Sequence, residues 1–276
     1  MTLKKTLTIA GSDTSGGAGI QADLKTFQEH GTYGMTALTV VVTMDPETWS
    51  HQVYSLPVDV LKAQIATALS TGIDAIKTGM LSTEEVIKTA GEAIQQANLE
   101  TVVIDPVMVC KGEDEVLNPG TVDAMIQYLL PHALVVTPNL FEAGQLAGMK
   151  TPKTLDEMKE AAEKIHAHGA KHVFIKGGKA LPTENATDLF YDGKTFTLLE
   201  APKSENYYNH GAGCTTAAAI TANLANGLAV NEAVVEAKKF VTAAITNGWA
   251  LNEFVGPVDH GAKNKFGAPE VTTTTL

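Results

Sequence analysis

Short unbroken apolar runs alternate along this chain with longer segments whose apolar positions recur every three or four residues. The first kind reads as strands buried on both faces, the second as amphipathic helices. Residues 7–10 form the first run, which ends in a glycine-rich turn over 11–19; residues 20–30 then carry Leu24 and Phe27 on one helical face. The same order repeats with a strand over 37–43, a helix over 57–69 opened by Pro57, and a strand over 74–80. Ser82-Thr-Glu-Glu85 has the spacing of a capping box and opens a helix with Val86, Ile87, Ala90 and Ile94 on one side. Strands follow over 101–105 and 133–137, with a helix near 121–130 between them and a short one over 140–146 after Pro138. Thr154-Leu-Asp-Glu157 gives a second capping box, and a strand over 172–176 stops at Gly177-Gly178. Residues 187–191 and 195–199, joined by Asp192-Gly193-Lys194, predict an antiparallel hairpin at a sheet edge, and helices near 211–226 and 232–247 close the pattern.

About six strands alternating with helices predict an α/β fold: a mostly parallel sheet covered on both faces, with ligands bound at the carboxyl ends of the strands. The pattern fits a single domain over 1–266, with 267–276 a loosely held tail whose Thr272–Thr275 run carries no nameable chemistry. At 276 residues, 44% hydrophobic and 18% charged, the chain can bury one large core. A net charge of −11 argues against a nucleic-acid or anionic-membrane partner, so any phosphate must be held by local groups. Two cysteines make no disulfide framework, no apolar run reaches the length of a membrane span, and Met1-Thr-Leu-Lys-Lys leads into a strand instead of a signal sequence. The expected location is the cytoplasm.

The densest candidate chemistry is His210-Gly-Ala-Gly-Cys-Thr215, between a polar loop and a small-residue helix. A helix start there offers free N–H groups and a positive field to a phosphate or oxyanion, and that field should lower the pKa of Cys214. The plainer alternative is a glycine turn with a packed thiol. Just past the strands come Asp13, Met44, Lys77, Asp105, Cys110, Thr137, Asn139, Glu142 and Lys176. Asp105, Thr137 and Glu142 are oxygen donors suited to Mg²⁺ beside nucleotide phosphates, and Lys176 supplies a point charge; alternatively Asp105 and Thr137 cap turns before Pro106 and Pro138. Neither the phosphate-loop nor the dinucleotide glycine pattern occurs. His51, His132, His166, His168, His172 and His260 have no metal-binding spacing, and Trp49 and Trp249 receive no role.

Taken together, Ala10-Gly-Ser-Asp-x-Ser-Gly-Gly-Ala-Gly-Ile-Gln-Ala-Asp23, Lys77-Thr-Gly-Met80, Asp105-Pro-Val-Met108, Thr137-Pro-Asn-Leu-x-Glu142 and His210-Gly-Ala-Gly-Cys-Thr215 resemble the hydroxymethylpyrimidine and pyridoxine kinase branch of the ribokinase-like fold. The resemblance implies a three-layer sandwich that phosphorylates a primary hydroxymethyl group on a small heteroaromatic ring, using ATP and Mg²⁺. On the matching positions Asn139, Glu142, Lys176, Asp188 and Gly213 would contact ATP or its phosphates, and Asp105, Thr137 and Glu142 would hold the cation. Ser12, Asp23, Met44, Met80 and Cys110 would line the substrate. Gly211, Gly213 and Cys214 would form the anion hole with His210, Cys214 standing as base where relatives more often carry aspartate. Methionine at 44 replaces the glutamine typical of hydroxymethylpyrimidine kinases and favours a pyridine ring. Cys110 resembles the loop thiol that captures the pyridoxal aldehyde in dual-cysteine pyridoxal kinases; the alternatives are an ordinary loop thiol or one that oxidises with Cys214. Loops 108–114 and 203–209 are the candidate lids. The expected activity is 5′-phosphorylation of pyridoxal, pyridoxine or pyridoxamine by a homodimer. The alternatives are a hydroxymethylpyrimidine or phosphomethylpyrimidine kinase, dual activity, or a non-catalytic vitamin-binding protein.

Overall fold

The apolar runs become strands of one ten-stranded sheet in the order β10-β9-β8-β7-β6-β5-β4-β1-β2-β3. The structure, a computed structural model, describes residues 2–108 and 120–276. Strands β1 (Lys5–Asp13), β2 (Tyr33–Met44), β4 (Ala75–Thr78), β5 (Val102–Ile104), β6 (Val135–Val136) and β7 (His172–Ile175) are parallel. Strands β3 (His51–Ser55), β8 (Ala186–Tyr191), β9 (Phe196–Ala201) and β10 (Thr272–Thr275) add to the edges in antiparallel fashion.

Alternation along each strand feeds two apolar layers. On β5, Val102 and Ile104 enter a core completed by Leu61 of α2 (Val58–Leu69), Ile87 of α3 (Glu84–Ala97), Met125 of α4 (Gly120–Tyr128), Leu146 of α5 (Leu140–Leu146) and Ile165 of α6 (Leu155–Ala167). Val103 between them faces the other way, onto Ile220 of α7 (Ala212–Ala225) and Phe240 of α8 (Val230–Thr246). Helix α1 (Gly19–Glu29) packs against α7, and α9 (Ala262–Phe266) against α8. Helices therefore cover both faces, as the strand–helix alternation predicts. Among the described residues no helix is long and apolar enough to cross a membrane.

Three local expectations need correction. Thr83 caps α3, its hydroxyl accepting the Val86 amide at 3.2 Å, so the Ser82–Glu85 spacing is not a capping box here. Strand β3 was not foreseen, because four of its five residues are exposed and leave no buried periodicity. The tail is not loose at Thr272–Thr275, which pairs with β9 and extends the hairpin edge by one strand. Four β-branched side chains suit an exposed edge, where backbone pairing does not require a buried face.

β1 lies between β2 and β4, so the chain leaves it toward one edge and returns on its other side. Such a reversal opens a crevice above the carboxyl ends of the strands. The glycine-rich turn after β1 and the start of α7 meet in that crevice. Gly211 has φ 83°, and a Cβ there would collide with the Gly17 carbonyl, so only glycine allows the two segments to approach this closely.

Candidate active site

A cavity of about 590 Å³ runs along the strand ends. At the β2, β1 and β4 end its walls are largely apolar, with Ala10, Ala18, Val42, Met44, Met80 and Val107. At the β7, β8 and α8 end they carry Lys176, Lys179, Asp188 and Lys238. Between the two halves lie Asp105, Glu142 and the first residues of α7, Gly211 to Cys214. The cavity thus joins a pocket for a small ring to a cationic channel, with a helix N-terminus at the junction.

At the junction Lys176 Nζ donates to Asp105 Oδ1 at 2.8 Å, and a Cβ on Gly213 would stand 3.4 Å from that same ammonium. Burial pushes the Asp105 carboxyl up, but Lys176 and Lys77 outweigh it and hold it below the usual carboxylate range. Burial drives Glu142 up to about 7; Asp105 adds to the rise, while Lys176 and the Asn139 and Met108 amides oppose it. Asn139 and Glu142 form a capping box at the start of α5, the Glu142 carboxylate accepting the Asn139 amide at 2.8 Å. The same carboxylate therefore fixes its own helix and faces the cavity.

Two buried acids that both interact with Lys176 are oxygen donors of the kind that a hard divalent cation favours, and burial, with Asp105 adding to it, leaves Glu142 with a raised value that a bound cation would bring down. Asp105 and Glu142 fit Mg²⁺. Thr137 does not line the cavity: it is fully buried, and its hydroxyl donates to Asp105 Oδ1 at 3.1 Å, so it orients the carboxylate instead of facing a cation. Among the described residues no three acids, histidines or cysteines gather as a preformed metal cage. Cation binding to the free protein should strengthen between pH 6 and 8, as Glu142 loses its proton through pH 7, and should level off above. Titration calorimetry with MgCl₂ checks this, with Glu142→Gln expected to flatten the dependence.

Cys214 opens into the cavity, but its thiol is pushed up to about 11, not lowered. Burial is the largest influence, and the opposing attraction of Lys77 and a hydrogen bond from the Gly19 amide do not overcome it. The field of the helix start is real, yet desolvation of a thiolate costs more. His210 takes its place through Asp13: Nε2 lies 2.8 Å from Asp13 Oδ2, with both side chains nearly buried. Burial would raise Asp13, but hydrogen bonds from His210 and Ser15 bring it down to about 2. Asp13 Oδ2 also accepts the Gly17 and Ala18 amides, so the dyad locks the glycine turn onto the segment just before α7. From the far side His260, kept neutral by burial at about 4, hydrogen-bonds Thr215 Oγ1 at 3.1 Å.

Asp23 is the clearest departure from expectation. It does not line the cavity; fully buried on α1, it grips Lys77 Nζ at 2.8 and 2.9 Å and accepts the Thr8 hydroxyl at 2.7 Å. Lys77 does line the cavity; burial would lower its ammonium, but Asp23 together with Cys214 and Asp105 holds it above the ordinary lysine range. Ser12, Met44, Met80, Asn139, Glu142, Lys176, Asp188 and Gly213 all line it. Asp188 accepts the Gly178 amide at 2.8 Å and Lys238 Nζ at 2.7 Å, which fixes the turn after β7. Cys110, and most of the 108–114 loop, lie outside the described residues. Loop 203–209 contributes Ser204, Asn206 and Asn209 to the cavity, and Asn206 anchors it through Gly248 O at 2.7 Å.

Sequence reasoning missed His51, Lys179 and Lys238, which line the cavity, and gave Lys77 no role. Lys77 did leave a signal: a lone lysine in a buried strand and a lone aspartate on the apolar face of α1 each require a partner.

The sequence matches the phosphomethylpyrimidine kinase family over residues 13–259. It is 63% identical, over the whole of both chains, to a putative pyridoxine kinase of Staphylococcus aureus strain COL. With the pyridoxine kinase of Bacillus subtilis strain 168 it shares 56% identity over 95% of this chain and 97% of the relative. The solved structure of the S. aureus pyridoxal kinase in complex with AMP-PCP and pyridoxal superposes with a TM-score of 0.96, at 59% identity and with all of both chains covered. Matched by the family model over residues 13–259 and superposing on a solved pyridoxal kinase along its full length, the chain belongs to the phosphomethylpyrimidine kinase family, on the ribokinase-like fold.

Proposed function

We infer that this protein is a pyridoxal kinase, transferring the γ-phosphoryl group of ATP to the 5′-hydroxymethyl group of pyridoxal, pyridoxine or pyridoxamine. The observation that carries the reading is the shared cavity, in which the head of α7, with Cys214, lies between an apolar pocket and a cationic channel. Full-length identity of 63% to a putative pyridoxine kinase supports the same substrate class. Met44 in the apolar half offers no amide to an aminopyrimidine edge, which favours a pyridine.

Each part of the cavity then has a task. Lys176, with the backbone amides at Gly211 to Cys214, meets the charge of the transferring phosphoryl, and Lys179, Lys238 and Asp188 shape the nucleotide end. Asp105 and Glu142 would hold Mg²⁺, whose charge would offset that of the phosphates. The Asp13–His210 dyad keeps the glycine turn and α7 in register, so that positioning is built before substrate arrives. Cys214 accepts the hydroxymethyl proton once its thiol has ionised, a step favoured by Lys77 and the Gly19 amide.

Incubation with MgATP and each vitamer is expected to give vitamer-dependent ADP and the 5′-phosphate, identified by mass. Hydroxymethylpyrimidine should be turned over at least about tenfold less efficiently, the worth of about one lost hydrogen bond. No vitamer-dependent ADP would overturn the assignment.

A further inference from the structure

Helix α7 starts without a side-chain cap. Its cap residue is Gly211, which has no side chain to take the amide of Gly213 or Cys214, the two positions that a capping hydroxyl or carboxylate ordinarily satisfies. Those amides are thereby left to the cavity, and the helix start has to be fixed by other means. The fixing is done at the Gly211 carbonyl, which accepts the Thr215 amide at 2.9 Å and the Thr215 hydroxyl at 2.8 Å. Gly211 to Cys214 and Thr216 line the cavity, whereas Thr215 does not and is fully buried.

Behind Thr215 stands His260, itself nearly buried, with Nε2 3.1 Å from the Thr215 hydroxyl. A hydroxyl has one hydrogen, and the Gly211 carbonyl, the nearer partner, takes it; the Thr215 oxygen then accepts from His260. Nε2 therefore carries the ring proton, and burial, which brings the ring down to about 4, keeps it neutral near pH 7. His260 has its own anchors. The Asp259 amide donates to Ala244 O of α8 at 3.0 Å, and the same stretch clasps the residue before the cap: His210 N donates to Gly256 O at 3.1 Å, and Val258 N to His210 O at 3.2 Å. A relay of contacts thus runs from α8 through His260 and Thr215 to the head of α7, outside the cavity.

Resting on the kinase reading above, this relay bears on the transition state. Lys176 and the nucleotide end can hold ATP before reaction, while the amides at the head of α7 act on charge that shifts during transfer, so a small displacement there costs rate more than affinity. We propose that His260 is a positioning residue: its Nε2–H, through the Thr215 hydroxyl, holds the Gly211 carbonyl and so aims the Gly213 and Cys214 amides at the transferring phosphoryl group.

The test measures kcat and KM for MgATP, with pyridoxine as acceptor, in wild type, His260→Leu, His260→Gln, Thr215→Val, Thr215→Ser and the double variant His260→Leu/Thr215→Val. Titration with ADP counts the sites, and thermal unfolding follows the fold. His260→Leu and Thr215→Val should each lower kcat per site by about tenfold, the worth of about one hydrogen bond, and leave the KM for MgATP within about twofold. His260→Gln, whose amide can donate from the place of Nε2, and Thr215→Ser, which keeps the hydroxyl, should each recover most of the rate. The double variant should be no slower than the slower single one, because both changes break the same relay. A merely structural role would lower the melting temperature and the number of ADP sites with kcat per site unchanged; that result overturns the proposal, as do losses that multiply in the double variant. Should His260→Leu fail to fold, Thr215→Val against Thr215→Ser makes the same comparison at nearly constant size, and equal kcat per site in those two would be as fatal. If wild type gave no pyridoxine-dependent ADP, the kinase reading would fall and this proposal with it, whereas an active wild type with an unimpaired His260→Leu would sink the proposal alone.

Discussion

Cys214→Ala is expected to lower kcat for pyridoxine by about a thousandfold, within the range that a positioned proton acceptor contributes, with little change in the KM for ATP. The alanine leaves the amides of α7 and Lys176 in place, so nucleotide binding survives while the proton of the attacking hydroxyl loses its acceptor. Because burial pushes the thiol up to about 11, the thiolate is the minor form at neutral pH, and its fraction grows about tenfold per pH unit below that value. Turnover by wild type should therefore climb with pH between 8 and 10, a range in which Glu142 has already ionised. Cys214→Asp should recover much of the activity and flatten that climb, since a carboxylate is charged throughout the range. Steady-state rates across pH for the three proteins check the assignment. Near-normal turnover by Cys214→Ala would remove the proton-acceptor role.

What the sequence disclosed and what it withheld divide along a physical line. Runs such as 7–10 and 172–175 are legible as strands because burial on both faces leaves an unbroken apolar record, and α5 was bounded at Leu140 and Leu146 because Pro138 and the Asn139 cap mark its start. Strand β3 left no such record, since exposure removes the constraint on its side chains. The site shows the same division. The glycines before Cys214 announce a helix start and its field, but the sign of the thiol shift depends on depth, which only the packed structure sets. Asp13 and His210 lie 197 positions apart in the chain, and nothing local in either motif pairs them. His51 reaches the cavity only through its cross-strand pairing with Met44, which nothing in its own sequence neighbourhood announces.

The Asp23–Lys77 pair should carry the largest effect on stability. Leu7 and Ile9 point into the larger core, so Thr8 between them points toward α1, and Lys77 beside Ile76 does likewise. An ammonium and a carboxylate are thereby enclosed beneath the cavity with no exposure of either side chain. Lys77→Met leaves the Asp23 charge enclosed without its counter-ion, as does the converse change Asp23→Asn for the lysine, and each should destabilise by about 3–5 kcal/mol. The cost comes from the stranded partner more than from the lost attraction, because bringing both charges out of water was itself unfavourable. The double variant Asp23→Asn/Lys77→Met removes both charges and should recover most of the loss, to within about 1 kcal/mol of wild type, although the Thr8 hydroxyl then bonds a neutral amide. Urea unfolding of the four proteins measures the coupling. Additive losses would show that the two groups act independently, against the enclosed geometry; recovery in the double variant together with a slower reaction would separate the pair's part in folding from the influence of Lys77 on Cys214.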